Sequence, residues 1–266
     1  MTLKELLLPF QSGAAQTASG GPVDASLWTR DVSGIVFDSR RLKEDSVFVA
    51  VRGGRVDGHD FLKEAVREGA IALVVESTTK VPQGFSGVVL TVQSTRKALS
   101  FLAARYKGDP SLRLKTIGVT GTNGKTTVTH MVEAILNQQG WPTGVIGTID
   151  HHLGEKVWKS EMTTPDPLTF QTRLQEFIDA GAQAVALEVS SHALDQARVD
   201  GVDFDVAIFS NLTRDHLDYH QTMDHYFASK ARLFTELLAD SRKPAKFAVV
   251  HFDDPWGEKL AKLASG

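Results

Sequence analysis

Apolar residues along this chain fall into two alternating patterns, short runs rich in β-branched residues and longer stretches with helical spacing. Residues 3–10 carry a short helical pattern, and 11–26, rich in Gly, Ser and Ala, read as a loop. Runs at 35–37, 47–51, 71–75 and 88–92 read as buried strands. Helical spacing covers 61–68, with Gly69 as its C-cap, and 95–106. Gly108, Asp109 and Pro110 then break the chain. Beyond them, strands are expected at 114–119, 143–149, 184–189, 206–209 and 247–250. Helices are expected at 128–138, 168–180 and 224–238, and 150–161 reads as a hairpin or exposed loop. Strands alternating with helices predict right-handed βαβ units around a mostly parallel sheet. The fold class is therefore α/β, in two domains, 1–110 and 111–266.

The strand expected at 114–119 runs into Gly121-Thr122-Asn123-Gly124-Lys125-Thr126-Thr127, and a helix follows. Strand, glycine-rich turn and helix is the setting in which a phosphate-binding loop works. Glycines let backbone N–H groups approach phosphate oxygens, and the helix N-terminus adds its free N–H groups and the positive end of its dipole. Lys125 would set a point charge between the terminal phosphates. Thr126 or Thr127 would offer a hydroxyl to a magnesium ion bridging them. The spacing is Gly121-x-x-Gly124-Lys125-Thr126; the common GxxxxGK[ST] form would need glycine where Val119 stands. The second domain is thus expected to be P-loop ATPase-like.

Composition narrows the function classes. A net charge of −3 over 266 residues supplies no basic field for nucleic acid. With no cysteine, disulfides and thiolate metal sites are excluded, and a reducing compartment fits. No apolar run approaches a membrane span, and the N-terminus, with Glu5 early, is a poor secretion signal. Cytoplasmic is the default reading, with no membrane and no nucleic-acid partner.

In open parallel sheets, ligands sit outside the C-terminal strand ends. The phosphate loop, residues 188–192 and residues 211–216 all fall at such ends. Glu188 closes an apolar strand, so its carboxylate is either solvated at the rim or bound to a cation; beside a phosphate loop, magnesium is the favoured reading. His192 and His216 each follow a strand end. His216 sits in the denser run Asp215-His216-Leu217-Asp218-Tyr219-His220 and is the better ligand candidate. Lys230, on the helix expected at 224–238, reads from pattern alone as one exposed lysine among several.

Five strings carry a resemblance: GTNGKTT at 121–127, TTPDP at 163–167, EVSSHALDQARV at 188–199, SNLTRDHLDYH at 210–220 and YFASKARLF at 226–234. Together they resemble the Mur ligases, and most closely the branch that adds the third peptide residue in peptidoglycan synthesis. The resemblance implies a small N-terminal UDP-binding domain and a central ATP-binding domain. It also implies ATP-dependent amide-bond formation on UDP-N-acetylmuramoyl-L-alanyl-D-glutamate. ATP would phosphorylate the D-glutamyl carboxylate, and the amine of a diamino acid, most commonly meso-diaminopimelate, would attack the acyl phosphate.

By match, Gly121 to Thr127 would hold ATP, and Thr126, Glu188, His216 and Lys230 would bind Mg2+. Lys125, Lys230 and His216 would serve catalysis, with Lys230 carbamylated so that an ammonium becomes a carboxylate. Thr163, Thr164, Ser190, Gln196 and Arg198 would contact the UDP-sugar dipeptide, and Ser39 its uridine end. A cytoplasmic monomer is expected. Two segments depart from the family pattern, Gly54-Arg55-Val56 and the His251-Phe252 that precedes Asp253-Asp254. The chain stops at Gly266, short of the family's C-terminal domain, so a fragment that binds ligands without ligating alone is expected. The alternatives are a nucleotide-binding module that never ligates, or another Mur or folylpolyglutamate ligase. Ser190, Gln196 and Arg198 favour a muramoyl substrate over a folate.

Overall fold

The computed structural model describes residues 1–10, 15–16, 21, 23–54 and 56–264. It divides into two compact units, Met1–Tyr106 and Lys107–Gly266.

In the first unit, helix α1 (Leu3–Leu7) starts at Thr2, whose hydroxyl accepts from the Glu5 N–H while the Glu5 carboxylate accepts from the Thr2 N–H. This reciprocal cap fixes the helix start, and Leu3, Leu6 and Leu7 are buried. The loop expected at 11–26 lies largely outside the described residues. Within it, however, Ala15–Gln16 forms strand β1, and Ala25–Trp28 forms helix α2, capped by Asp24. Two residues paired to a sheet edge carry no periodicity that a sequence could reveal. Then come β2 (Gly34–Val36), β3 (Ser46–Val49), α3 (Leu62–Arg67), β4 (Ala72–Val75), β5 (Val88–Thr91) and α4 (Thr95–Tyr106). The sheet order is β1-β5-β4-β3-β2, parallel except where β1 runs antiparallel to β5. Val47, Phe48, Leu73, Val75, Val89 and Leu62 fill its interior. Arg55, in the segment that departs from the family pattern, lies outside the described residues.

The second unit is built on β6 (Lys115–Thr120), which leads through the glycine-rich turn into α5 (Lys125–Gln138). It continues through β7 (Thr143–Ile146), the hairpin β8 (Asp150–Leu153) and β9 (Lys156–Lys159), α6 (Pro167–Asp179), and β10 (Ala184–Glu188). Next are α7 (Ser191–Asp195), β11 (Val206–Phe209), α8 (Leu217–His220), α9 (Met223–Arg232), β12 (Phe247–Val250) and α10 (Pro255–Ala264). The sheet order is β12-β11-β6-β10-β7-β8-β9, parallel from β12 to β7 and antiparallel in the hairpin. β6 is thus flanked by β10 and β11, so three C-terminal strand ends stand side by side, the place where open α/β sheets bind ligands. β10 is buried on both faces, which is why it reads as an unbroken apolar run up to Glu188.

The helix expected at 224–238 continues beyond α9 as a π-helical stretch, Leu233–Leu238. Three short helices, α7, α8 and α10, were not expected. α10 begins at an Asp-Pro pair, as α6 does at Asp166-Pro167. The Asp254 carboxylate accepts from the N–H groups of Trp256 and Gly257, and also from that of Leu212. Asp254 therefore spends its oxygens on backbone, and a proline in the first turn costs the helix nothing.

Candidate functional site

The turn after β6 is held open by its neighbours. Gly121 has φ +151°, and a Cβ on it would stand 2.0 Å from the Ser210 hydroxyl, so no other residue fits there. The start of the loop after β11 pins the turn. Asn211 gives its backbone carbonyl to the Thr122 N–H (2.9 Å) and its side-chain oxygen to the Asn123 N–H (3.0 Å). Ser210 and the Asn211 amide both donate to the Asn123 carbonyl. The Thr122 hydroxyl donates to the Thr213 carbonyl and accepts from its N–H. Gly124, at φ +83° with open space around it, precedes α5 without any side-chain cap. The first N–H groups of the helix are left for a ligand. Lys125 folds back onto the Gly121 and Thr122 carbonyls, at 3.1 and 2.9 Å.

Thr126, not Thr127, faces the sheet. Its hydroxyl donates to Glu188 Oε1 at 2.9 Å, while Thr127 is exposed. Glu188 is 1% exposed, so the solvated-rim reading of this carboxylate does not hold. Its other donors are the N–H and hydroxyl of Thr148, at 2.9 and 3.1 Å, and the Thr148 hydroxyl also meets that of Thr163 at 3.0 Å.

Lys230 is buried as well, which overturns its reading as a solvated helix lysine. Its amine donates to the Gly121 carbonyl at 2.8 Å and lies over the Tyr226 ring at 4.7 Å. Burial, and then the nearby Lys125 charge, push its pKa well below the ordinary lysine value. Burial lowers that of Lys125 too, against the pull of Glu188 and Asp215. The Tyr226 hydroxyl reaches Thr122 at 3.2 Å. His216 is half exposed, at φ +51°, with its ring 6.1 Å from that of Tyr226 and 4.9 Å from that of His192, and its Nε2 3.6 Å from Asp215. Among the described residues no hydrogen bond joins His216 to Glu188.

A second group lies beside β10. The Thr164 hydroxyl donates to the Glu188 carbonyl and accepts from the Ser190 N–H, and the Ser190 hydroxyl caps α7. Arg198 donates to the Thr164 carbonyl (2.7 Å) and, twice, to Gln196 Oε1. The structure thus brings together Thr164, Ser190, Gln196 and Arg198, with Thr163 linked to Glu188 through Thr148. Ser39 belongs to the other unit, at the start of a 3-10 turn capped by Asp38.

Against known families, residues 119–266 match the Mur ligase middle domain. The chain belongs to the Mur ligase family. Residues 31–107 match the description "Mur ligase family, catalytic domain". Two relatives named UDP-N-acetylmuramoyl-L-alanyl-D-glutamate–2,6-diaminopimelate ligase are similar. The one from Geobacter metallireducens is 48% identical over 235 residues, 88% of this chain and 46% of that protein. The one from Aquifex aeolicus is 46% identical over 257 residues, 96% of this chain and 51% of that protein. A solved structure of a protein with the same name superposes with a TM-score of 0.78 at 29% identity, over 99% of this chain and 50% of that one. MurF ligase from Thermotoga maritima, solved in complex with ADP, gives 0.51 at 26% identity, over 86% of this chain and 47% of that one. The chain spans about half the length of the curated relatives it matches.

For a Mur ligase, the donor set can be judged against a magnesium nucleotide. Magnesium favours oxygen. Thr126 and Glu188 supply a hydroxyl and a carboxylate 2.9 Å apart beside the phosphate loop, and the partners that hydrogen-bond the buried carboxylate are neutral, Thr126 and Thr148. These two residues fit the ion. Sequence reasoning did not single out Tyr226, Thr148 or Asn211. Asn211 is announced by its place just after a strand end, but Thr148 carries no signal in a single sequence.

Proposed function

We propose that this chain is the UDP-binding and ATP-binding part of an ATP-dependent ligase that adds a diamino acid to UDP-N-acetylmuramoyl-L-alanyl-D-glutamate. The observation that carries the reading is the hydrogen bond from Thr126 to the buried Glu188, at the end of a loop whose Gly121 carbonyl accepts from both Lys125 and Lys230. On this reading, residues 1–110 bind the uridine end, with Ser39 in contact, and residues 111–266 bind ATP. The name of the similar ligases and their 46–48% identity support diaminopimelate as the amino acid. No helix among the described residues is long and apolar enough to cross a membrane. We take the enzyme to be a cytoplasmic monomer.

The chain's residues would work chiefly by positioning and charge neutralisation. The N–H groups of residues 124–127, unlike those of Thr122 and Asn123 that Asn211 holds, would bind the β- and γ-phosphates, and Lys125 would turn from the loop carbonyls to the phosphate oxygens. Thr126 and Glu188 would hold magnesium, which supplies neutralisation of phosphate charge when bound. His216, half exposed near Tyr226, would complete the metal-side shell. Arg198, Gln196, Ser190, Thr164 and Thr163 orient the D-glutamyl carboxylate toward the γ-phosphorus. A carboxylate oxygen attacks phosphorus and ADP leaves; the incoming amine then attacks the acyl carbon, and phosphate leaves.

Lys230 is suited to carbamylation. Burial favours its neutral amine, whose lone pair adds to carbon dioxide; a proton is lost and a carbamate anion remains. That step replaces an amine beside Lys125 with an anion and adds an oxygen donor.

The reading is tested by calorimetric titration of the chain with magnesium ATP and with the UDP-sugar dipeptide. Binding of both is expected. Binding of a pterin or folate in place of the UDP-sugar would overturn the choice of substrate, and no binding of ATP would overturn the nucleotide site.

A further inference from the structure

On the helix that leaves the phosphate loop, His130 and Glu133 stand three residues apart and share a face. The hairpin strand β8 brings His152 against them. One ring nitrogen of each histidine and one Glu133 oxygen all lie within 4.8 Å of one another. His152 Nε2 is 3.1 Å from Glu133 Oε1, and its Nδ1 is 2.6 Å from Asp150 Oδ1. His130 Nδ1 is 2.8 Å from the Thr126 carbonyl oxygen. A carbonyl can only accept, so Nδ1 of His130 carries the proton and Nε2 of the neutral ring keeps its lone pair. None of the roles proposed for the ligase uses these side chains.

We propose that His130, Glu133 and His152 form a site for a divalent transition-metal ion of the zinc class, with water completing the coordination. Four features of the geometry carry this. The donors are two imidazoles and one carboxylate, a set that suits zinc, cobalt or nickel and not magnesium. Each imidazole has its Nδ1 engaged by a second group, a carboxylate for His152 and a backbone carbonyl for His130. That is how metal-binding histidines are oriented, with Nε2 left for the ion. The 3.1 Å between His152 and Glu133 is close to the roughly 3.3 Å that separates two ligands about 2.0 Å from a tetrahedral ion. His130 completes the set, with its donor nitrogen within 4.8 Å of the other two ligand atoms. Lastly, all three side chains are partly buried, which limits competition from water while leaving an entry path.

The competing account is an ion pair in which a charged His152 bridges Asp150 and Glu133. It explains those three residues and gives His130 only its bond to the Thr126 carbonyl, with no reason for its ring to stand 5.5 Å from that of His152. A bound ion would clamp the β8–β9 hairpin to α5. The clamp would bear on the catalytic region at two points: His130 holds the carbonyl of Thr126, and the segment between β7 and β8 carries Thr148.

The test is zinc titration of the whole chain by calorimetry in chelator-free buffer, with cobalt as a spectroscopic probe and thermal unfolding as a second readout. We expect one tight equivalent per chain, and a rise in melting temperature that EDTA reverses. His130→Gln, Glu133→Gln and His152→Gln should each weaken zinc binding at least about tenfold, and Asp150→Asn by roughly 10-fold through its loss of orientation. His216→Gln controls for the other histidine cluster and should leave the tight equivalent in place. If His152→Gln fails to fold because the Asp150–Glu133 bridge is lost, His130→Gln, which keeps that bridge, carries the test. Absence of a tight equivalent in the wild-type chain would overturn the proposal. So would unchanged affinity in His130→Gln, or loss only in His216→Gln.

Discussion

The amines of Lys125 and Lys230 converge on a single oxygen: the Gly121 carbonyl accepts from the first at 3.1 Å and from the second at 2.8 Å. One residue comes from the first turn after the phosphate loop and the other from a helix more than 100 positions later. Two cations sharing an acceptor away from water repel each other. The protein relieves this only in part, through Glu188 and Asp215 near Lys125. An arriving phosphate, or loss of the Lys230 charge, relieves it further. Two amines on one carbonyl beside the open N–H groups of the α5 start give the loop a positive potential, the arrangement that favours a bound anion.

Lys230 should make folding pH-dependent. Its folded pKa lies below the ordinary 10.5. Between those two values the unfolded chain holds a proton that the folded chain lacks, so stability rises with pH across that window. Below the window, the chain folds around an ammonium and carries the full penalty. Lys230→Met removes the group. Urea unfolding in carbon-dioxide-free buffer should find the variant stabilised relative to wild type at neutral pH, with the difference shrinking as pH rises toward 10.5. A difference independent of pH would show that Lys230 titrates alike in both states.

Lys125→Ala should weaken ATP binding roughly 100-fold, the cost of removing a charge-assisted contact to phosphate, with thermal stability little changed. Thr126→Ala should instead act through the metal. Its loss of affinity should be clear for magnesium ATP and small for ATP in EDTA. Calorimetry with both forms of the nucleotide separates the two roles, and equal losses for Thr126→Ala in the two titrations would remove Thr126 from the metal shell.

The α/β class and the strand–turn–helix around Gly121 to Thr127 were legible because the periodicity is strong and β6 and β10 are buried on both faces. Parts of the site were legible only as residue types at strand ends. Glu188 was legible as a cation ligand by its place at a strand end beside the phosphate loop, whereas Lys230 looks like a surface residue by pattern and was picked out only by resemblance, since nothing in a string shows that the Gly121 carbonyl will meet it. Thr148 was invisible because its partners are 15 and 40 positions away. Helices as short as α7 and α8 carry too few turns for a periodic signal. α10 was not expected although the sequence carries a signal for it, Asp254-Pro255, the same cap chemistry that starts α6.

The two loop glycines should respond differently to alanine. At Gly121, an added Cβ meets the Ser210 hydroxyl at 2.0 Å and the Asn211 backbone at 3.1 Å, in a conformation that glycine alone adopts readily. Gly121→Ala should displace the 210–211 segment, lower the melting temperature and abolish ATP binding. Gly124 has the same need for positive φ but open space around it. Gly124→Ala should cost about 1 kcal/mol of stability from backbone strain and keep measurable ATP affinity. Matching losses in thermal unfolding for the two variants would contradict the role given to Ser210.

Two buried histidines should set the acid side of the stability curve. His151 and His220 are both pushed down to about 4, chiefly by burial, helped by Arg173 at His151 and by His192 at His220. As pH falls from the ordinary 6.5 toward 4, the unfolded chain takes up protons that the folded chain refuses, so stability falls. The two differ in what surrounds them. Among the described residues neither ring nitrogen of His151 has a hydrogen-bond partner, whereas His220 Nε2 meets the Ser191 hydroxyl at 2.9 Å and its Nδ1 faces Ser229. His151→Leu should flatten part of the acid slope and raise stability at about pH 5 with no loss near neutrality, because no polar group is stranded. His220→Leu should flatten the slope similarly but cost about 1–3 kcal/mol at every pH by leaving a buried hydroxyl without its partner. Denaturant unfolding of the two variants at about pH 5 and pH 8 checks both, and an unaltered acid slope in His151→Leu would mean that this ring is already charged in the folded chain.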